Sequence, residues 1–205
     1  MDIWTVVHGE RKALAADLRS LDENQWTMPS LCDGWTVRDV VAHLTATAKT
    51  TPATFFPKML ANGFSFSRMQ ARNVSAERGL STADTLARFV AVETSVKHPP
   101  GPVDSWLGES IVHAEDIRRP LGLHRDYPVD AVVQVADFYK TSNLIIGTKR
   151  RIDGLALRAT DTDWSHGTGP EVSGPMLTLL MAMTGRKAAV GQLSGEGVAT
   201  LLARP

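Results

Sequence analysis

Glu109-Ser-Ile-Val-His113 places a carboxylate and an imidazole four residues apart. On a helix this spacing projects both side chains from one face. Carried over Val103 to Arg119, the helical reading puts Trp106, Glu109, His113 and Ile117 on one stripe, with Asp116 at its edge. An acid and an imidazole within an apolar stripe are costly to bury unless something compensates them, and a divalent metal does so. One helix supplies two ligands, so a third must come from elsewhere. His43 is the best candidate, because it borders the apolar face of an earlier helix. Two histidines and one carboxylate form a recurrent set for catalytic zinc, with the remaining position taken by water or substrate. The competing reading stays open. A lone histidine beside a core is more often a satisfied core residue, and Glu/His pairs at this spacing also occur on solvated faces.

The other candidates carry less. Cys32, in the loop before the His43 helix, reads as a buried inert thiol, although a helix N-terminus there could lower its pKa. His8 reads as a surface residue; His98 and His124 fall in Pro/Gly-rich connections, and His166 in a turn. Asp116 could act as a base or orient His113; orientation is the simpler role. Peptide hydrolysis is disfavoured because no His-Glu-x-x-His occurs, while other metal-assisted hydrolysis could use the same ligands.

The elements that must hold these residues are mostly helical. Ile3, Val6, Val7, Leu14 and Leu18 mark an opening amphipathic helix. Thr36-Val-Arg-Asp39 resembles a capping box and starts a helix whose apolar face carries Val37, Val40, Val41 and Leu44. A helix is expected over about 51 to 62, its continuity in question at Pro57. Ser81 caps another through Val90 that stops before His98-Pro-Pro-Gly-Pro102. A long helix is expected from Val129 to about Thr148. Four substantial helices around one core point to an antiparallel bundle, a scaffold that sets metal sites between facing helices. Beyond it, Gly154–Thr160 alternates as a strand, Pro170–Gly174 reads as a second, Met176–Thr184 as a helix ended by Gly185, and Val198–Leu202 as a last strand. The expected organisation is mainly α with an α/β appendage: a bundle over 1–151 and a small domain over 152–205.

Bulk properties narrow the function classes. The chain has 205 residues, 43% of them hydrophobic, enough for a substantial core. With 22 basic and 22 acidic residues and only the short Lys149-Arg150-Arg151 run, nucleic acid is not an expected partner. A single cysteine excludes an internal disulfide and fits a reducing cytoplasm, and no apolar run suggests a membrane span. A homodimer is compatible with a bundle of this size, and the sequence fixes no symmetry.

Taken together, Gly34-Trp-Thr-Val-Arg-Asp-Val-Val-Ala-His43-Leu44 and the later Glu109-x-x-x-His113-x-x-Asp116 resemble the mycothiol-dependent maleylpyruvate isomerase family of actinobacteria, within the broader DinB-like metal-binding bundles. Ala159-Thr-Asp-Thr-Asp-Trp164, Gly169-Pro-Glu-Val-Ser-Gly-Pro175 and Thr184-Gly-Arg186 look like that family's small C-terminal α/β domain. The resemblance implies a four-helix bundle with zinc on His43, Glu109 and His113, and mycothiol as the thiol cosubstrate. It also implies addition of that thiol to an electrophile, giving either a cis-trans isomerisation or a stable S-conjugate. Arg186 resembles an arginine offered to a substrate carboxylate; capping of the helix that ends at Gly185 explains it equally well. A metal-binding bundle of the same type without catalysis is the alternative from another functional class.

Overall fold

Side-chain caps at nearly every helix start explain where the N-terminal elements begin. The computed structural model describes residues 2–144 and 146–205, and divides into two compact units, Met1–Arg125 and Asp126–Pro205. In the first unit, α1 (Ile3–Arg19) starts on Asp2, whose carboxylate accepts from the Trp4 and Thr5 amides. The short α2 (Glu23–Thr27) and the longer α3 (Val37–Lys49) each open on a complete capping box, Asp22 with Gln25 and Thr36 with Asp39. The unit continues through α4 (Pro52–Ala61), α5 (Phe66–Glu77), α6 (Thr82–Val90, capped by Ser81) and α7 (Val103–Arg118).

Helix α3 packs against α5, α6 and α7, and α1 against α6 and α7. The bundle is therefore α1, α3, α6 and α7, with α5 laid on α3. Its centre holds Leu14, Leu18, Trp26, Val40, Val41, Phe89, Ala114 and Ile117, all buried. A fully buried Arg118 ties α7 to α1: its Nε donates to Asp17 at 2.7 Å, and Nη1 lies 4.0 Å from the buried Glu10. Arg125 adds a second partner for Glu10 at 3.0 Å.

Three expectations for this unit change. Pro57 lies inside a continuous α4. The carbonyl it leaves without an amide partner belongs to exposed Ala53, where water can satisfy it. No residue of α4 is buried, and Phe56, Leu60, Phe64 and Phe66 of this stretch are exposed. Helix α5 has no counterpart in the sequence reading, its apolar positions Met69 and Val74 being too sparse for a periodic signal. The division between units falls at 125/126, ahead of the expected boundary near 152, because the helix after Pro128 packs with the second unit's elements.

That helix, α8 (Val129–Lys140), is shorter than expected. The expected continuation toward Thr148 includes Ile145, which lies outside the described residues. The polar run after Lys140 competes for the backbone: the Thr141 hydroxyl donates to the Phe138 carbonyl at 3.0 Å, the Leu144 amide to Ser142 Oγ at 3.0 Å, and the Arg150 amide to Asn143 Oδ1 at 2.8 Å. A short α9 (Thr148–Ile152) follows left-handed Gly147. Strands β1 (Ala156–Ala159), β2 (Ser165–His166) and β3 (Glu171–Gly174) form a sheet of order β2-β1-β3, in which β1 runs antiparallel to β2 and parallel to β3. Strand β2 lies within the stretch read as turn. Helix α10 (Met176–Met183) covers β1 and β3 and packs on α8, and α11 (Lys187–Val190) follows. Val198–Ala203 is a helix, α12, and not the expected strand; four of its six residues are Leu or Ala, strong helix formers. Among the described residues no helix is long and apolar enough to cross a membrane.

Candidate metal centre

Capping fixes the start of α3 at Thr36, and this sets His43 on the side of the helix that faces α7. Glu109 and His113, one turn apart on α7, meet it there. Nε2 of His43 lies 3.2 Å from Oε1 of Glu109, and the His43 and His113 rings meet edge to face with centroids 5.0 Å apart. One donor atom from each of the three residues lies within 4.8 Å of the other two. Their side chains keep 12 to 18% exposure, enough for a small molecule to approach. The sequence expectation that His43, Glu109 and His113 converge is matched by this geometry.

The electrostatics suit a cation. Burial opposes ionisation of Glu109. The close contact and charge of His43, the nearby His113 and the Thr47 hydroxyl outweigh that effect and hold the carboxyl down at about 2. Its Oε1 is nevertheless buried without a properly directed hydrogen bond, since the short His43 contact is poorly aligned. A buried carboxylate oxygen left in this state is expensive. Burial pushes the His113 imidazole toward its neutral form, against the opposing effect of its hydrogen bond to Asp116. Neutral imidazole is the ligating form. Two imidazoles and an orphaned carboxylate oxygen are thus a donor set that fits zinc.

Asp116, fully buried, lies behind His113. Nδ1 of His113 donates to Asp116 Oδ2 at 2.8 Å, leaving Nε2 with the lone pair. Cys32 joins the same carboxylate: its thiol donates to Oδ2 at 3.0 Å, with Sγ 3.5 Å from His113 Nδ1. The loop that carries it is pinned to α7, because the Leu31 amide donates to the Asp116 carbonyl at 3.0 Å. It closes on itself through the Pro29–Thr36 bridge and left-handed Gly34. Cys32 is therefore half-buried and engaged in a hydrogen bond, in place of the inert core thiol expected from sequence. Cys32, His113 and Asp116 form a second cluster with metal-ligand chemistry that shares His113 with the first. Its contacts have the lengths of hydrogen bonds, so it reads as support for His113.

Sequence reasoning missed the surroundings. An open pocket of about 220 Å³, counting the space it shares with solvent, adjoins Glu109. Arg11, Lys97, His98 and Trp106 contribute to its lining. His98, read as a connection residue, stacks between Trp4 at 5.8 Å and Trp106 at 5.6 Å. His8 tilts against Trp4 at 6.1 Å, with Nε2 buried, and is not the plain surface residue expected. Only the three-residue spacing of Trp106 and Glu109 on α7 could have signalled this pocket. Arg186 belongs to the second unit. It is half-buried after α10, and its Nη1 donates to the Thr184 carbonyl at 2.9 Å, as expected of a helix-end arginine.

The class the fold defines is a mainly α protein: a helical bundle with a histidine–carboxylate cluster on facing helices, and a second, small α/β unit. Residues 7–107 match the family model of the mycothiol maleylpyruvate isomerase N-terminal domain. Two solved structures share the fold across 95% of this chain and 92% of theirs. One is mycothiol-dependent maleylpyruvate isomerase, at TM-score 0.66 and 16% identity, and the other a histidine-to-alanine mutant of it, at 0.65 and 15%. No curated protein matches the sequence significantly.

Proposed function

We propose that this protein is a zinc-dependent enzyme that uses a low-molecular-weight thiol, mycothiol, as cosubstrate for addition to an electrophilic small molecule. The product is either an isomerised electrophile, after reversible addition, or a stable S-conjugate. The observation that carries this reading is the buried, hydrogen-bond-deficient Oε1 of Glu109 between two histidines, in a chain that matches this family's model. Zinc held by His43, Glu109 and His113 would supply stabilisation of a thiolate, the nucleophilic form of the thiol.

The remaining work falls to the chain. His43 and Glu109 are held by the α3–α7 contact, so the donor atoms are pre-positioned before any ligand arrives. Asp116 keeps the proton of His113 on Nδ1, and with it the ring orientation. Arg186 is proposed to pair with an anionic substrate, a role for which its planar fork is apt. The protein is further proposed to work in the cytoplasm and to have no nucleic-acid or membrane partner.

Purified protein should carry about one zinc per chain and consume mycothiol in the presence of a suitable electrophile. His113→Ala should lose metal and thiol consumption together while its helical circular dichroism persists. Wild-type protein that takes up no added zinc, or that consumes mycothiol equally well after chelation, would remove this reading.

A further inference from the structure

Among the described residues of the first unit, α4 is the only helix that buries none of its own. Two rows at four-residue spacing, Pro52-Phe56-Leu60 and Ala53-Pro57-Ala61, are exposed along their whole length. At 3.6 residues per turn such rows are neighbours, so they form one face, and it carries no polar side chain. Lys58, the helix's one charged residue, falls on the opposite side from Phe56 and is half-buried. Phe55 meets Phe56 edge to face, with centroids 5.6 Å apart, and steadies its ring.

The turn that ends α4 adds to the face. The Gly63 amide donates to the Leu60 carbonyl at 3.0 Å and the Phe64 amide to the Met59 carbonyl at 2.9 Å, which brings Phe64 back to the last helical turn. Phe64 has φ of 57° and is the one described residue other than glycine in the left-handed region, where a bulky side chain is strained. An apolar residue at this place in the turn usually packs on the helix it follows, yet Phe64 is 73% exposed. The single chain therefore holds a strained backbone and leaves most of the ring in water.

The area is what a stable dimer needs. Phe56 and Phe66 are 63 and 45% exposed and Leu60 is 64%. At about 200 Å² for a phenylalanine, the three rings alone present roughly 360 Å². Leu60 and the small apolar residues of the two rows bring the patch to about 500 Å², high in the range that monomers expose. One side of a standard interface buries about 800 Å², of which about 65% is apolar in homodimers. The chemistry favours a second copy as the occupant. An uncharged face selects no partner by charge, and a chain with 22 basic and 22 acidic residues meets its copy without long-range repulsion. A lipid surface is instead matched by several cations beside the apolar face, and α4 has one, turned away.

We propose that this face is a homodimer interface, in which α4 packs on the partner subunit's α4 about a two-fold axis near Leu60. Rows at four-residue spacing interdigitate in such crossings. An isologous contact closes, so the exposed rings do not build open chains of molecules. With the axis near Leu60, Ala53 and its free carbonyl stay at the wet rim. The interface is independent of the metal reading.

Sedimentation velocity on the purified full chain tests the proposal. The wild type should pass from monomer to dimer between about 1 and 100 µM, the weak end of what interfaces of this size reach. Phe56→Ser should weaken dimerisation at least about tenfold, as loss of a central aromatic contact does, with helical circular dichroism unchanged. Phe64→Gly separates an interface role from a structural one. It relieves the left-handed strain, so the dilute protein should melt no lower than wild type, yet dimerise at least about tenfold more weakly. Lys58→Gln, on the far side of the helix, should dimerise as wild type does. A wild type that stays monomeric throughout that range, or a dimer left intact by both Phe56→Ser and Phe64→Gly, would overturn the proposal. Monomeric protein that floats with phosphatidylglycerol vesicles, and loses this in Phe64→Gly, would overturn it too and give the face to a lipid surface.

Discussion

His113 and Asp116 form a hydrogen-bonded pair on one helix, Nδ1 to Oδ2 at 2.8 Å, in which the carboxylate is fully buried and the imidazole is not. The arrangement makes Asp116 a positioning residue, since it fixes which nitrogen of His113 carries the proton. Asp116→Asn should therefore retain the fold and the metal stoichiometry but bind zinc about 10- to 100-fold more weakly, the usual penalty for losing such a partner. Competition against a metallochromic chelator measures this; an unchanged affinity would deny the role.

Cys32 offers a separate check on which cluster holds the ion. Its thiol donates to Asp116, and in that role it would support the proposed site without ligating an ion. Cobalt(II)-loaded wild type should then lack a thiolate-to-cobalt charge-transfer band, and Cys32→Ser should leave the visible spectrum in place. A band that disappears in Cys32→Ser would move the metal to the Cys32, His113 and Asp116 cluster.

Arg118, which ties α7 to α1, is a stability determinant. Its replacement by Met removes the buried cation that faces Glu10 and Asp17. Loss of one partner from a buried charge network costs about 3 kcal/mol or more. Urea denaturation should show an unfolding free energy lower by about that amount, and so a lower midpoint, with zinc stoichiometry retained below the transition.

The second unit carries a pH-dependent contact. Asp137 accepts from Lys140 at 2.6 Å and from the Trp164 indole at 3.0 Å. Burial raises the Asp137 pKa, but these two hydrogen bonds outweigh it and hold the carboxyl below its ordinary 3.8. A depressed native pKa means that the contribution to stability is complete above the unfolded value. It is lost as pH falls through the native one. Trp164 fluorescence should stay constant down to about pH 4 and change below it. Asp137→Asn should abolish that change, and a transition near neutrality would contradict the assignment.

How far these features were legible depends on the sequence distance over which each is encoded. The Glu109/His113 pair and the Thr36 capping box are local patterns, and both stand in the structure as read. Convergence of His43 on them needed only the expectation of facing helices. By contrast, Cys32 reaches Asp116 across 84 positions, and Arg11 reaches Ser95 across another 84. No periodicity encodes such meetings; they follow from how the loop at Leu31 and the start of α1 settle on the bundle. Short elements are hidden for a different reason. Strand β2 has two residues and α11 has four, too few for alternation or a helical stripe to register. At α12, valine at the front of the run suggests a strand, whereas the leucines and alanines after it govern the backbone.

The three candidate ligands also have a topological meaning. His43 lies on α3 and the other two on α7, so the stretch from α4 to α6 is a loop with both ends at the site. An ion joining them would act as a removable crosslink in the chain. Closing a long loop reduces the freedom of the unfolded chain more than closing a short one, though only logarithmically with its length. Metal supply in the cell would then govern the lifetime of the folded protein as well as its chemistry, and a chain made under metal starvation would be turned over sooner.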